Sequence, residues 1–234
     1  MVAPSLRDDV IARLTAAGDP ERAAGQQRYM KSTMPFHGVA TPEMRRIARA
    51  TFADHPIADA DRWEEEVLGL WRRATHREQR YVAVELADHA PYREWLEPSR
   101  LPMIEEMIVT GAWWDLVDHL AGVHLWRLLC GHRAAMRPVL WRWATDDDLW
   151  RRRSAIIVQL RAKDTTDTEL LFHAIESSID RPEFFLRKAI GWALREYSKT
   201  EPQVVIDYVN AHADELSGLS TREALKVVRT QGVH

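Results

Sequence analysis

The stretch WWDLVDH at residues 113–119 places two indole rings and two carboxylates within about one and a half helical turns. Trp114 and Asp118 are four positions apart, so on a helix they share one side. A carboxylate against an aromatic face favours a cationic guest, by Coulomb attraction and a cation-π contact of ~0.5 to 2 kcal/mol. Further on, DLWRRRSAIIVQL carries an apolar stripe of Leu149, Trp150, Ile156, Ile157 and Leu160 that takes in Arg153 rather than Arg151 or Arg152. A guanidinium inside such a stripe needs an anion, because an unpaired buried charge is costly. The preceding helix of the same kind offers Asp118: there Val117, Leu120, Ala121 and His124 form the core stripe, with Trp114 and Asp118 on its flank. Trp114, Asp118 and Arg153 are therefore expected in one cluster. One reading is a buried ion pair that fixes helix packing. The other is a ligand site, in which the carboxylate takes a cation and the arginine fork a phosphate. An alkylated nucleotide meets both demands, since its base is positively charged and its glycosidic bond already weakened.

A second group lies at residues 183–199, where Leu186, Ile190, Ala193, Leu194 and Tyr197 make the core stripe and Trp192 points almost the other way. Lys188, Arg195 and Lys199 share its side. Aromatic rings among cations combine phosphate attraction with packing on sugars and bases. The plainer reading is a tryptophan packed on a neighbouring loop.

The elements that must hold these residues are helices. Helix starts recur near residues 41, 76, 113, 148, 183 and 220, a spacing of roughly 35 to 37 residues. A second helix falls between each pair, near 60, 98, 133, 167 and 201. Thr41 with Pro42, and Asp148, Glu183 and Ser220, read as cap or first-turn residues. This pattern predicts an all-α chain, an α-solenoid of HEAT-like helical hairpins, forming one curved domain over 1–234. Taken together, the first helices of the pairs sum to a positive charge and the second helices to a negative one, so one basic, concave face is expected. Ordinary solvated helix surfaces are the alternative.

Composition narrows the class. The 234 residues are 46% hydrophobic with a net charge of −3, so no global charge announces a nucleic-acid partner and any such site must be local. The longest aliphatic run, Ala155 to Val158, is far short of a membrane span, and with Arg7, Asp8 and Asp9 near the start a cytoplasmic protein is predicted. A lone cysteine excludes an internal disulfide, and Cys130 reads as a small buried apolar residue. His119, His124 and His132 show no paired ligand spacing, so no metal or other cofactor is expected. The run Asp146-Asp147-Asp148 reads as a helix cap. No phosphate-binding glycine loop and no nucleophile elbow occur.

The stretches RYMKSTMPFHGV with TPEMRR, GAWWDLVDH, LWRRRSAIIVQL and KAIGWALREYSKTEPQVVIDYV, from about residue 28 to 210, resemble the AlkD family of DNA alkylation repair glycosylases. The combination of WWD-x-x-D with KAIGW-x-LREY is more specific than either alone. The resemblance implies a HEAT-like repeat fold and hydrolytic removal of cationic N3- and N7-alkylated purines from double-stranded DNA, the first step of base excision repair. By position, Trp114, Asp118, Arg153 and Trp192 match the family's catalytic-site residues. Asp118 would stabilise positive charge growing on the deoxyribose and could orient water, the tryptophans would line the sugar and backbone, and Arg153 would hold a phosphate or Asp118. Tyr29, Arg45, Arg46, Trp113, Arg152, Lys188, Arg195 and Lys199 are the expected DNA-binding residues, with a core tyrosine the alternative for Tyr29. A monomer and no membrane partner are expected. After PFHG the chain has Val39 and Ala40, where relatives can carry a polar residue near the DNA. The competing class is a HEAT-like module that binds DNA or protein without catalysis.

Overall fold

In the computed structural model, residues 4–231 are described, with side chains to residue 228. Among them there are fifteen α-helices and no strand. The chain divides into two compact units, Met1–Leu96 and Glu97–His234.

The first unit holds α1 (Leu6–Ala16), α2 (Pro20–Met30), α3 (Thr41–Asp54), α4 (Ala60–Arg72) and α5 (Arg77–Ala87). Helix α1 packs on α3, α3 on α5, and α4 closes a hairpin with α5. The tryptophan load begins to make sense here: Trp63 and Trp71 are wholly enclosed, and the Trp63 indole N–H donates to the Leu86 carbonyl at 3.1 Å. Helix α2 differs, because none of its residues is buried. Polar bonds hold it instead. Arg22 and Gln26 donate to the carbonyls of Gly38 and Val39, and Glu78 on α5 accepts from the amides of His37, Gly38 and Val39 at 2.8–3.1 Å. Gly38 sits at φ +84°, where a Cβ would meet the Asp19 carbonyl at 2.0 Å, so only glycine fits this turn.

The second unit holds α6 (Leu101–Gly111), α7 (Trp114–His119), α8 (Trp126–Gly131), α9 (Arg133–Trp143), α10 (Leu149–Ile157), α11 (Thr168–Glu176), α12 (Phe184–Tyr197), α13 (Pro202–Ala211), α14 (Gly218–Ala224) and α15 (Lys226–Gln231). Between α7 and α8 the chain runs through a π-helical segment, Leu120–Leu125. The stacking is that of a helical-hairpin solenoid: α7 lies on α10, α10 on α12 and α12 on α14, while α9 and α11 form the other layer. Helix α10 is enclosed by α6, α7, α9, α11 and α12, so Arg152 to Ile157 are all buried.

Most expected starts coincide with caps: His76, Trp113, Asp148 and Glu183 are N-cap residues, and Asp59 and Asp167 cap α4 and α11 by accepting backbone amides. Three sequence-based expectations are corrected. The cap of α3 is Ala40, which makes no side-chain bond, and Thr41 and Pro42 are its first two helical residues. The cap of α14 is Ser217, whose hydroxyl accepts from the Ser220 amide, whereas Ser220 is enclosed within the helix and its hydroxyl donates to the Arg187 carbonyl at 2.9 Å. Cys130, expected inside, is exposed in the last turn of α8. That short helix has its apolar burial met by Leu128 and Leu129, which leaves Cys130 on the outer side.

Candidate active site

The site begins with a tight reversal. Helix α6 ends at Ala112 in the left-handed region, φ 41° and ψ 37°, a strained place for a residue with a Cβ. This turn brings Trp113 to the cap position of α7 and Trp114 to its first turn. Asp115 in that turn complements the positive helix end. Asp118 follows one turn after Trp114 on the same side, just before the π-helical segment, and π-bulges recur at functional positions.

Helix α10 supplies the counter-charge. Asp148 caps it, accepting from the amides of Trp150 and Arg151 at 2.9 Å each, and so fixes the rotation that turns Arg153 inward. The Arg153 Nε and Nη2 donate to the two oxygens of Asp118 at 2.7 and 2.8 Å, a side-on fork. Its remaining Nη1 donates to the Phe185 carbonyl in the first turn of α12 at 2.5 Å, and its guanidinium lies 5.9 Å from the Phe185 ring centroid. Each of the three nitrogens therefore donates to Asp118 or Phe185, which ties α7, α10 and α12 together. The Arg153 side chain is 4% exposed and that of Asp118 17%, so the cation is sealed while the carboxylate keeps an opening to solvent. Burial, the largest influence, lifts the Asp118 carboxyl above the ordinary range, and nearby Asp115 adds to this; the bonds and charge of Arg153 work against them.

An aromatic wall backs the pair. The Phe185 ring lies 5.2 Å from Trp113 and 5.1 Å from Trp150 between centroids, and Phe184 beside it is exposed. Trp192 is half-buried on α12, seven residues after Phe185, hence on the same side and about 10 Å along the axis.

The expected DNA-binding residues have mixed placements. Arg152 is placed differently from the expectation: it is buried, and its guanidinium donates to the carbonyls of Thr145, Asp146 and Ser177 and the Ser178 hydroxyl, pinning two loops. The enclosure of α10 on several sides is the reason, since a wheel with one buried stripe leaves Arg152 outside. Trp113 packs into the aromatic wall and is half-buried. Lys188 and Arg195 both pair with Glu223 of α14, and Lys199 with Glu196. In the first unit, Arg45 pairs with Glu85 at 2.7 Å and Arg46 with Glu43 at 2.6 Å, while Tyr29 is 75% exposed near the end of α2, which removes the core-tyrosine reading. Sequence reasoning missed Phe185, whose carbonyl completes the Arg153 fork, and Glu223, which no motif marks. The Phe184-Phe185 pair at a helix start was the available signal for the first. Among the described residues, no group of three histidine, cysteine or acidic side chains is arranged to hold a metal ion.

Comparison with known proteins bears on the family and the fold of the chain. The sequence model of a family described as "DNA alkylation repair enzyme" matches residues 10–228. The fold is similar to a solved structure described as a predicted DNA alkylation repair enzyme from Enterococcus faecalis, at 30% identity and a TM-score of 0.79, over 89% of this chain and 95% of that one. No curated protein matches.

Proposed function

Because the chain belongs to the DNA alkylation repair enzyme family, we propose that it is a DNA glycosylase acting on purines made cationic by alkylation at N3 or N7. The observation that carries this reading is Asp118: a carboxylate clamped by a sealed arginine yet still 17% exposed. In the reaction the C1′–N bond breaks and its electron pair leaves with the base, which neutralises the alkylated ring. Positive charge then grows on the deoxyribose, and the Asp118 carboxylate stabilises it through its preorganised field. Water adds at C1′ and gives up a proton, with Asp118 placed to orient it. The closed fork and the burial of Arg153 support a positioning function for it, since each of its three nitrogens already donates to Asp118 or Phe185. Trp114, one turn before Asp118, and Trp192 would bound the sugar and backbone. Tyr29, exposed on α2, would touch the DNA strand, and its replacement by alanine should weaken duplex binding.

The test is single-turnover release of 3-methyladenine and 7-methylguanine from methylated duplex DNA. Wild-type protein should release base above the spontaneous rate, and Asp118→Asn should lower that rate on the order of 10²-fold or more. A wild type that frees no base leaves a non-catalytic DNA-binding module in its place.

A further inference from the structure

Lys188, Trp192 and Arg195 recur at i, i+4 and i+7 along α12 and so occupy one side of it, and Lys199 follows in the turn just beyond the helix. A carboxylate from α14 is planted among them. One oxygen of Glu223 accepts from Lys188 Nζ at 2.6 Å, and the other contacts Nη1 of Arg195, so a single side chain spans the two cations that flank Trp192. The Glu223 side chain is 11% exposed, against 41% for Lys188 and 22% for Arg195. The anion thus lies beneath, and the cations reach over it towards solvent.

Backbone packing puts Glu223 there. A Cβ on Gly191 would lie 2.6 Å from the Glu223 Cβ and 2.8 Å from the Ser220 carbonyl oxygen, so α14 sits against bare backbone of α12. The Ser220 hydroxyl adds a bond to the Arg187 carbonyl. The root of the carboxylate is therefore fixed whether or not its ion pairs form. Partly exposed ion pairs of this kind contribute little to folding, typically ~0–1 kcal/mol. A negative charge on a side of α12 that would meet phosphates has a larger effect on binding, because it cancels charge that would otherwise neutralise the polyanion.

We propose that Glu223 is a built-in competitor for DNA phosphate: it occupies Lys188 and Arg195, and the duplex backbone must displace it to engage them. The inference rests on the reading of the chain as a DNA-acting protein, but not on its chemistry. Glu223 thereby limits affinity for undamaged duplex and keeps the protein mobile on DNA.

The experiment is binding of the full chain to an unmodified duplex over a salt series. Each phosphate newly neutralised steepens the plot of log affinity against log salt by about 0.9. Glu223→Gln, which keeps the size of the side chain but removes its charge and one of its two acceptors, should bind more tightly at low salt. It should lose an additional ~3.5-fold across a fourfold rise in salt if one cation is freed, and ~12-fold if two are. Adding Lys188→Ala should return the slope towards wild type by about one phosphate. A folded fraction that is constant across the salt series shifts the line without changing its slope, and circular dichroism at each salt concentration verifies that constancy, so destabilisation of α14 is distinguished from the result. An unchanged or shallower slope for Glu223→Gln, or a steepening that survives Lys188→Ala, overturns the proposal. Base release by the wild type tests the glycosylase reading separately; a wild type without any duplex affinity overturns both.

Discussion

Replacing Asp118 with Asn removes the charge that Arg153 faces while keeping the shape of the side chain. Arg153 is 3% exposed, and two of its nitrogens donate to Asp118 at 2.7 and 2.8 Å. The amide offers one acceptor where the carboxylate offered two, and it turns its NH2 towards the other guanidinium nitrogen. Breaking a buried pair from one side costs ~3–5 kcal/mol, because a charge is left stranded. Water reaches the Asp118 end, whose side chain is 17% exposed, so the lower limit of about 3 kcal/mol is expected. For a chain of this size that is about 6–12 °C in melting temperature. Adding Arg153→Met replaces the stranded charge with an apolar side chain, and the double variant should recover most of the loss. Thermal unfolding of the wild type, both single variants and the double variant yields the coupling energy directly. An Asp118→Asn protein within about 0.5 kcal/mol of wild type would refute the reasoning, because the pair would then behave as a solvated surface contact. The double variant also separates folding from chemistry: it should be stable and still fail to release base.

Three further outcomes are expected. On the proposed mechanism base release requires ionised Asp118, whose carboxyl burial lifts above its ordinary value of 3.8, so the rate should fall with decreasing pH at a higher pH than an exposed aspartate would dictate; a rate that holds steady down into the ordinary carboxylate range contradicts this. Gly191→Ala should destabilise by ~1–3 kcal/mol through the clash with α14, and a rise in melting temperature from better helix propensity would show that α14 yields freely. Arg152→Ala should cost about 2 kcal/mol or more by stranding buried carbonyls, yet leave the salt slope of DNA binding unchanged; a shallower slope would restore Arg152 to the binding surface.

Much of the helical order was legible because local chemistry writes it: Asp59, Asp148 and Asp167 cap helices at the predicted starts. The inward turn of Arg153 was also readable, since an arginine in the stripe with Trp150 and Ile157 has no cheap alternative to an anion. Ser220 misled because a serine inside a helix and a serine at its cap look alike in sequence, and the close approach at Gly191 that encloses it is a tertiary fact. Arg152 misled because a wheel assumes one buried stripe, whereas α10 is enclosed on several sides. The basic side of α12 was read as bare for a similar reason. Glu223 lies 28 residues beyond Arg195, and only the docking of α14 brings them together.

The π-helical segment Leu120–Leu125 has a consequence for comparing this chain with its relatives. Such a segment accommodates a surplus residue within an otherwise regular helix. Loss of one residue there would let the helix relax into unbroken α-geometry while everything downstream keeps the side it now faces. Leu128 and Leu129, now 0% and 3% exposed, would stay in the interior. A homologue with a single-residue gap at this point would therefore keep the partners of α8, and an alignment that closes the gap would shift every contact that follows by one residue.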